Sequence, residues 1–126
     1  MDRESFERIV AQALADLPAE FRDRLDNVDV VVEGQPSRSQ IRQAGLGGGF
    51  TLMGLYEGIP LTERGQGYNM VPPDKITIFQ GPIEEGCRSR NELKKRVSGV
   101  VKHEIAHYFG LGEAALQDIE GEEPDY

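Results

Sequence analysis

The chain has only two histidines, and they stand four positions apart, as His103 and His107, with Glu104 directly after the first. Residues i and i+4 of an α-helix lie on one face a turn apart, so both imidazoles can aim at one point. The flanking residues support a helix. Leu93, Val97, Val100, Val101, Ile105 and Phe109 recur at helical spacing and form one apolar side behind the pattern. Asn91 is the expected cap, and the helix is expected to run to about Phe109.

Two neutral imidazoles on one helical face are a fragment of a zinc site, and catalytic zinc takes a third protein ligand plus water. Glu104 is turned about 100° around the helix from His103. That sets it beside the metal rather than on it, where its carboxylate can take a proton from water. A third ligand follows at once. Gly110 suits a helix end that turns sharply back, and Glu113 can then swing towards the histidines. Asp118, Glu120 and Glu122 are more distant competitors. The whole pattern is H-E-x-x-H-x-x-G-x-x-E. By residue frequencies its five-residue core arises by chance in under about 1% of chains this long, so it outweighs every other local signal here.

This stretch resembles the zincin metallopeptidases, in particular the small bacterial minimal-zincin family, whose members carry H-E-x-x-H-x-x-G-x-x-[D/E] near the end of a similar chain. The likeness also covers Gly54-Leu55-Tyr56-Glu57-Gly58-Ile59-Pro60-Leu61-Thr62 and Pro73-Asp74-Lys75-Ile76-Thr77-Ile78-Phe79-Gln80-Gly81-Pro82. The resemblance implies one Zn2+ per chain, with His103, His107 and Glu113 as ligands and Glu104 as catalytic acid/base. It also implies a peptide or protein substrate. Metzincins add a histidine or aspartate ligand and a downstream methionine turn, but no methionine follows Met70. Thermolysin-like enzymes draw their third glutamate from a later helix, and few residues follow Glu113 here.

Composition bounds the rest. A chain of 126 residues with 38% hydrophobic content is expected to form one zincin-like domain over residues 1–126, around a single modest core. The expected class is α+β: a mixed sheet of three or four strands packed on helices, with the histidine helix near the C-terminus. A net charge of −8 and a pI near 4.7 argue against nucleic-acid binding, which needs clustered cations. Lys94-Lys95-Arg96 reads as a solvated helix face. No apolar run approaches the ~18 residues of a membrane span, and Met1-Asp2-Arg3-Glu4 is no signal-peptide start. The single Cys87 cannot form an internal disulfide and suits a cytoplasmic protein. It is either an inert thiol or a cap on the metal.

Along the chain, Phe6, Ile9, Val10, Ala13, Leu14 and Leu17 mark an amphipathic helix over Ser5–Leu17, capped by Asp2 or Ser5 and stopped by Pro18. A short turn at Phe21–Leu25 precedes a β-branched strand at Val28–Glu33. Gly34–Gly49, ending in Gly45-Leu46-Gly47-Gly48-Gly49, reads as a loose connection or flap and lacks the spacing of a phosphate loop. Phe50–Tyr56 is a second strand, followed by an irregular turn at residues 57–64 and a polar loop at 64–69. Lys75–Gln80 is a third strand. The resemblance makes it a cleft wall with an edge open to an extended peptide; the other reading is an ordinary core strand. Residues 114–116 suggest a short helix, and the acidic tail over residues 120–126 is expected to fray.

The chemistry this implies is zinc-dependent peptide hydrolysis in which Glu104 activates water. Tyr56, Tyr68 and Tyr108 are candidate donors to the oxyanion. Two alternatives are a metal-binding protein that acts through protein partners, and another metal-dependent hydrolase, with RNA cleavage disfavoured by the acidic charge.

Overall fold

The computed structural model describes residues 1–23, 25, 28–45, 52–58 and 74–109. The elements, in order, are α1 (Arg3–Ala15), α2 (Ala19–Arg22), β1 (Val28–Glu33), α3 (Arg38–Gln43), β2 (Gly54–Glu57), β3 (Asp74–Phe79), α4 (Gln80–Glu84) and α5 (Arg90–Phe109). This is a small α+β domain with a mixed three-stranded sheet among the described residues. The expectations for Gly47 to Gly49, for residues 59–69 with Tyr68, for Gly110 and Glu113, for residues 114–116 and for the tail from 120 fall outside those residues.

The sheet order is β1-β3-β2. β1 runs parallel to β3, with Val30 opposite Ile76 and Val32 opposite Ile78. β2 runs antiparallel, with Gly54 opposite Ile78 and Tyr56 opposite Ile76. Strand side chains alternate between faces, so Val30, Val32, Gly54, Tyr56, Ile76 and Ile78 share one face. On that face the main core gathers Phe6, Ile9, Val10 and Ala13 of α1 with Leu93, Val97, Val100, Val101, Ile105, Tyr108 and Phe109 of α5. Phe6, Ile78, Val97, Val100 and Ile105 are completely buried, each worth about 1.5–3 kcal/mol of transfer free energy. The opposite face is thinner. There Leu52, Leu55 and Phe79 pack with Ile41 of α3 and with Ala44.

The apolar stripes read from the sequence match the buried sides of α1 and α5. Asp2 caps α1, accepting from the Ser5 N–H at 3.1 Å, and hydrogen bonds from Ser5 hold its carboxyl below the ordinary aspartate value. Three local expectations need correction. First, the cap of α5 is Ser89, not Asn91: the Ser89 hydroxyl accepts from the Glu92 N–H at 3.1 Å, and the Glu92 carboxylate accepts from the Arg88 N–H at 2.9 Å. The S-x-x-E spacing carries that signal. Second, the stretch read as a loose connection contains α3, closed by a capping box between Ser37 and Gln40. Third, of the two readings of β3, the ordinary core strand holds and the open-edged cleft wall does not. β3 is the central strand, paired on both sides, and β2 is the strand that lies along α5.

Candidate metal centre

α5 is amphipathic at its start and buried nearly all round by its end, where Glu104, Ile105, Ala106, Tyr108 and Phe109 are all enclosed. Only His107 reaches well into solvent within this last stretch. Its side chain is 46% exposed, against 4% for Glu104, and His103 is intermediate. The two imidazoles stand 4.7 Å apart, centroid to centroid, with planes inclined by 70°. Glu104 Oε1 lies 3.4 Å from His107 Nδ1. One ligand-type atom from each of His103, Glu104 and His107 can be chosen so that all lie within 4.8 Å of one another.

That donor set fits zinc. Two imidazole nitrogens on one helical face are ligands zinc takes in catalytic sites, and the Glu104 carboxylate beside them is placed to handle a proton rather than to bind. Burying a carboxylate is costly unless positive charge or donors stand close, and a dication at the histidines would supply such charge. The helix brings His103, Glu104 and His107 together as their spacing requires. Glu113, the expected third ligand, lies outside the described residues.

β2 closes the site from below. At Gly54 the strand comes so near α5 that a Cβ there would sit 2.8 Å from Val100 Cγ1, 3.0 Å from Glu104 Cγ and 3.2 Å from Glu104 Oε2. Glu104 therefore has one carboxylate oxygen towards the strand and the other towards His107. Two residues on, the Tyr56 ring meets Tyr108 edge to face at 6.2 Å, and the Tyr56 hydroxyl donates to Asp74 Oδ2 at 2.7 Å. Asp74 is itself buried, and a side chain at Gly58 would run into its carboxylate.

These contacts bear on the candidate oxyanion donors. Tyr108 is fully enclosed in the core, and the Tyr56 hydroxyl is engaged with Asp74. Cys87 is remote from the histidines. Its thiol donates to the Ile83 carbonyl at 3.2 Å ahead of the start of α5, and the helix from Arg90 to His103 is about 20 Å long at ~1.5 Å per residue. The inert reading of the thiol stands, and the metal-cap reading falls. Sequence reasoning assigned no role to Gly54 or Asp74. For Gly54 a signal existed, since glycine within a strand marks a close approach of another chain segment.

Among the described residues no helix is long and apolar enough to cross a membrane. A search of curated proteins finds no match. A family model for zincin-like metallopeptidases does match, over residues 25–122, a span that runs from just before β1 to beyond α5. With most of the chain inside that match, which also takes in the His103-Glu104-His107 cluster, the chain belongs to the zincin-like metallopeptidases.

Proposed function

We propose that this chain is a zinc-dependent peptide hydrolase in which His103, His107 and Glu113 hold the metal and Glu104 moves the proton. The observation that carries the reading is the placement of Glu104: buried under β2 on the histidine helix, with Oε1 3.4 Å from His107 Nδ1. Zinc, when bound, supplies a Lewis acid that acidifies water and polarises a carbonyl. His103 and His107 contribute neutral nitrogens, and Glu113 contributes one negative charge, so the centre keeps a net charge of about +1. Glu104 Oε1 accepts a proton from the attacking water and returns it to the leaving amine. The close approach of β2 at Gly54 restricts the rotamers of Glu104, so little ordering remains to be done when substrate arrives.

β2 gives a substrate a natural path. It is the strand beside α5, and an extended peptide could add to it through backbone hydrogen bonds. A peptide or protein substrate suits a chain with net charge −8 better than a nucleic acid does. The lone Cys87 is consistent with work in a reducing cytoplasm.

Elemental analysis of purified protein, before and after zinc reconstitution, tests the metal assignment; the expected result is one zinc per chain. Glu113→Ala should weaken zinc at least about tenfold, with Asp118→Ala and Glu120→Ala near neutral. A quenched-fluorescent peptide library, read with and without chelator, then tests the chemistry. Chelator-sensitive cleavage is expected. Stoichiometric zinc without cleavage of any library peptide would leave a metal-binding protein and defeat the hydrolase reading.

A further inference from the structure

We propose that Gly54 is a positioning residue for Glu104: the absence of a side chain at this point of β2 is what holds the carboxylate against the strand and turned to His107. The inference rests on the peptidase reading for its functional meaning, but its geometry stands apart from it. Gly54 lies on the helix-facing side of β2, in register with Ile78, and is not among the glycines with positive φ. Its backbone is therefore open to any residue, and space alone demands glycine. A Cβ would approach Val100 Cγ1 to 2.8 Å and Glu104 Cγ to 3.0 Å. Protein interiors are packed too tightly to absorb such overlaps without movement.

The neighbours determine what would move. Val100 is completely buried, one helical turn before Glu104, and is held among Val97, Val101 and the sheet. Its stiff β-branched side chain has little freedom to turn away. Glu104 has more rotatable bonds and stands beside a histidine that faces solvent. A methyl group at 54 would therefore shift the Glu104 carboxylate outwards by some tenths of an ångström, away from His107, and leave both histidines on their helix. Tyr56, on the same side of the strand, already fills its place against Tyr108. β2 thus offers α5 an empty position under the acid and a full one under the next turn. The arrangement fixes where the proton acceptor sits, not whether metal binds.

The test compares parent, Gly54→Ala, Val100→Ala and the double variant Gly54→Ala/Val100→Ala. Crystal structures report the Glu104–His107 contact, a chromophoric chelator reports zinc affinity, and the peptide cleaved by the parent reports rate. Val100→Ala removes the shorter of the two overlaps, so the double variant isolates the clash with Glu104 and carries the test should Gly54→Ala alone fail to fold. In both Gly54 variants the 3.4 Å contact should open by several tenths of an ångström, and kcat should fall about tenfold with little change in KM. Zinc affinity should fall less than about tenfold. Val100→Ala alone should keep Glu104 in place. A double variant with Glu104 restored beside His107 and full rate would show that Gly54 only makes room for Val100, overturning the proposal. An unmoved Glu104 in Gly54→Ala would overturn it as well. Absence of zinc and of cleavage in every preparation would instead defeat the peptidase reading, while the crystallographic contact would still decide the role of Gly54.

Discussion

The two faces of the sheet are built to different depths. One carries α1 and α5 and the long run of enclosed side chains from Phe6 to Phe109. The other, among the described residues, carries α3 over Leu52, Leu55 and Phe79. The candidate metal centre belongs to the deep face, where α5 is gripped by a helix on one side and a strand on another. A carboxylate needs such a grip to stay aimed, because precision comes from packing around the supporting element. The shallow face closes the sheet without aiming anything. Substitutions on the two faces should therefore separate function from stability.

The largest separation is expected at Glu104. Glu104→Gln keeps size and hydrogen bonding, so zinc should remain and the melting temperature should hold, while turnover falls ~10²–10⁴-fold. Zinc stoichiometry and rate measured on one sample decide it. Zinc lost with Glu104 would mean the carboxylate is a ligand. Next come paired truncations. Ile105→Ala on the deep face and Phe79→Ala on the shallow face should each cost about 3 kcal/mol in urea unfolding. Only Ile105→Ala should also weaken zinc, since it loosens the turn between the histidines. Equal zinc affinities in the two variants would erase the functional difference between the faces.

Smaller effects begin on the shallow face. Ser37→Ala removes the hydroxyl that caps α3 and should cost about 1 kcal/mol without altering zinc. Thr77 points to this face from the central strand, completely buried, and its hydroxyl has no hydrogen-bond partner among the described residues. Thr77→Val should be neutral or stabilising by up to about 1 kcal/mol, read as an unchanged or raised urea midpoint. The smallest effect is the pH dependence of the α1 cap. The Asp2 carboxyl is held below its usual value by hydrogen bonds from Ser5. Its contribution is thus present above the ordinary aspartate pKa and is lost as pH falls through the lowered one. The melting-temperature gap between parent and Asp2→Asn should be visible at neutral pH and vanish in strong acid.

What the sequence revealed divides along the same line. α1, β1, β3 and α5 were legible within a residue or two, because each presents a periodic apolar side to the deep core and burial enforces that period. α3 was not. It buries no residue completely, so it leaves no stripe, and its one signal is the spacing of Ser37 and Gln40. α4 is five residues long with Pro82 inside it, too short for periodicity to register. The histidine pair and Glu104 were legible because their geometry is internal to one helix. The role of Gly54 was not, since it depends on which strand comes to lie beneath that helix. The central place of β3 is likewise a property of pairing between distant segments.

The pairing pattern also constrains the order in which the molecule can assemble. Among the described residues β1 pairs with β3 alone, with Val28 against Asp74, and α1 buries its stripe against α5, nearly the whole described chain away. Such long-range partners give a high contact order, and chains of that kind fold slowly because large loops must close before any reward. β2 and β3 close the shorter loop and should pair first. The Glu104 carboxylate acquires its strand wall only when α5 docks across them, among the final events. During synthesis the nascent chain would therefore carry no competent site until α5 has emerged, and zinc captured then would lock the docking in place. Pulse-labelled hydrogen exchange should find the β2–β3 amides protected before those around His103, and the opposite order would exclude this sequence of events.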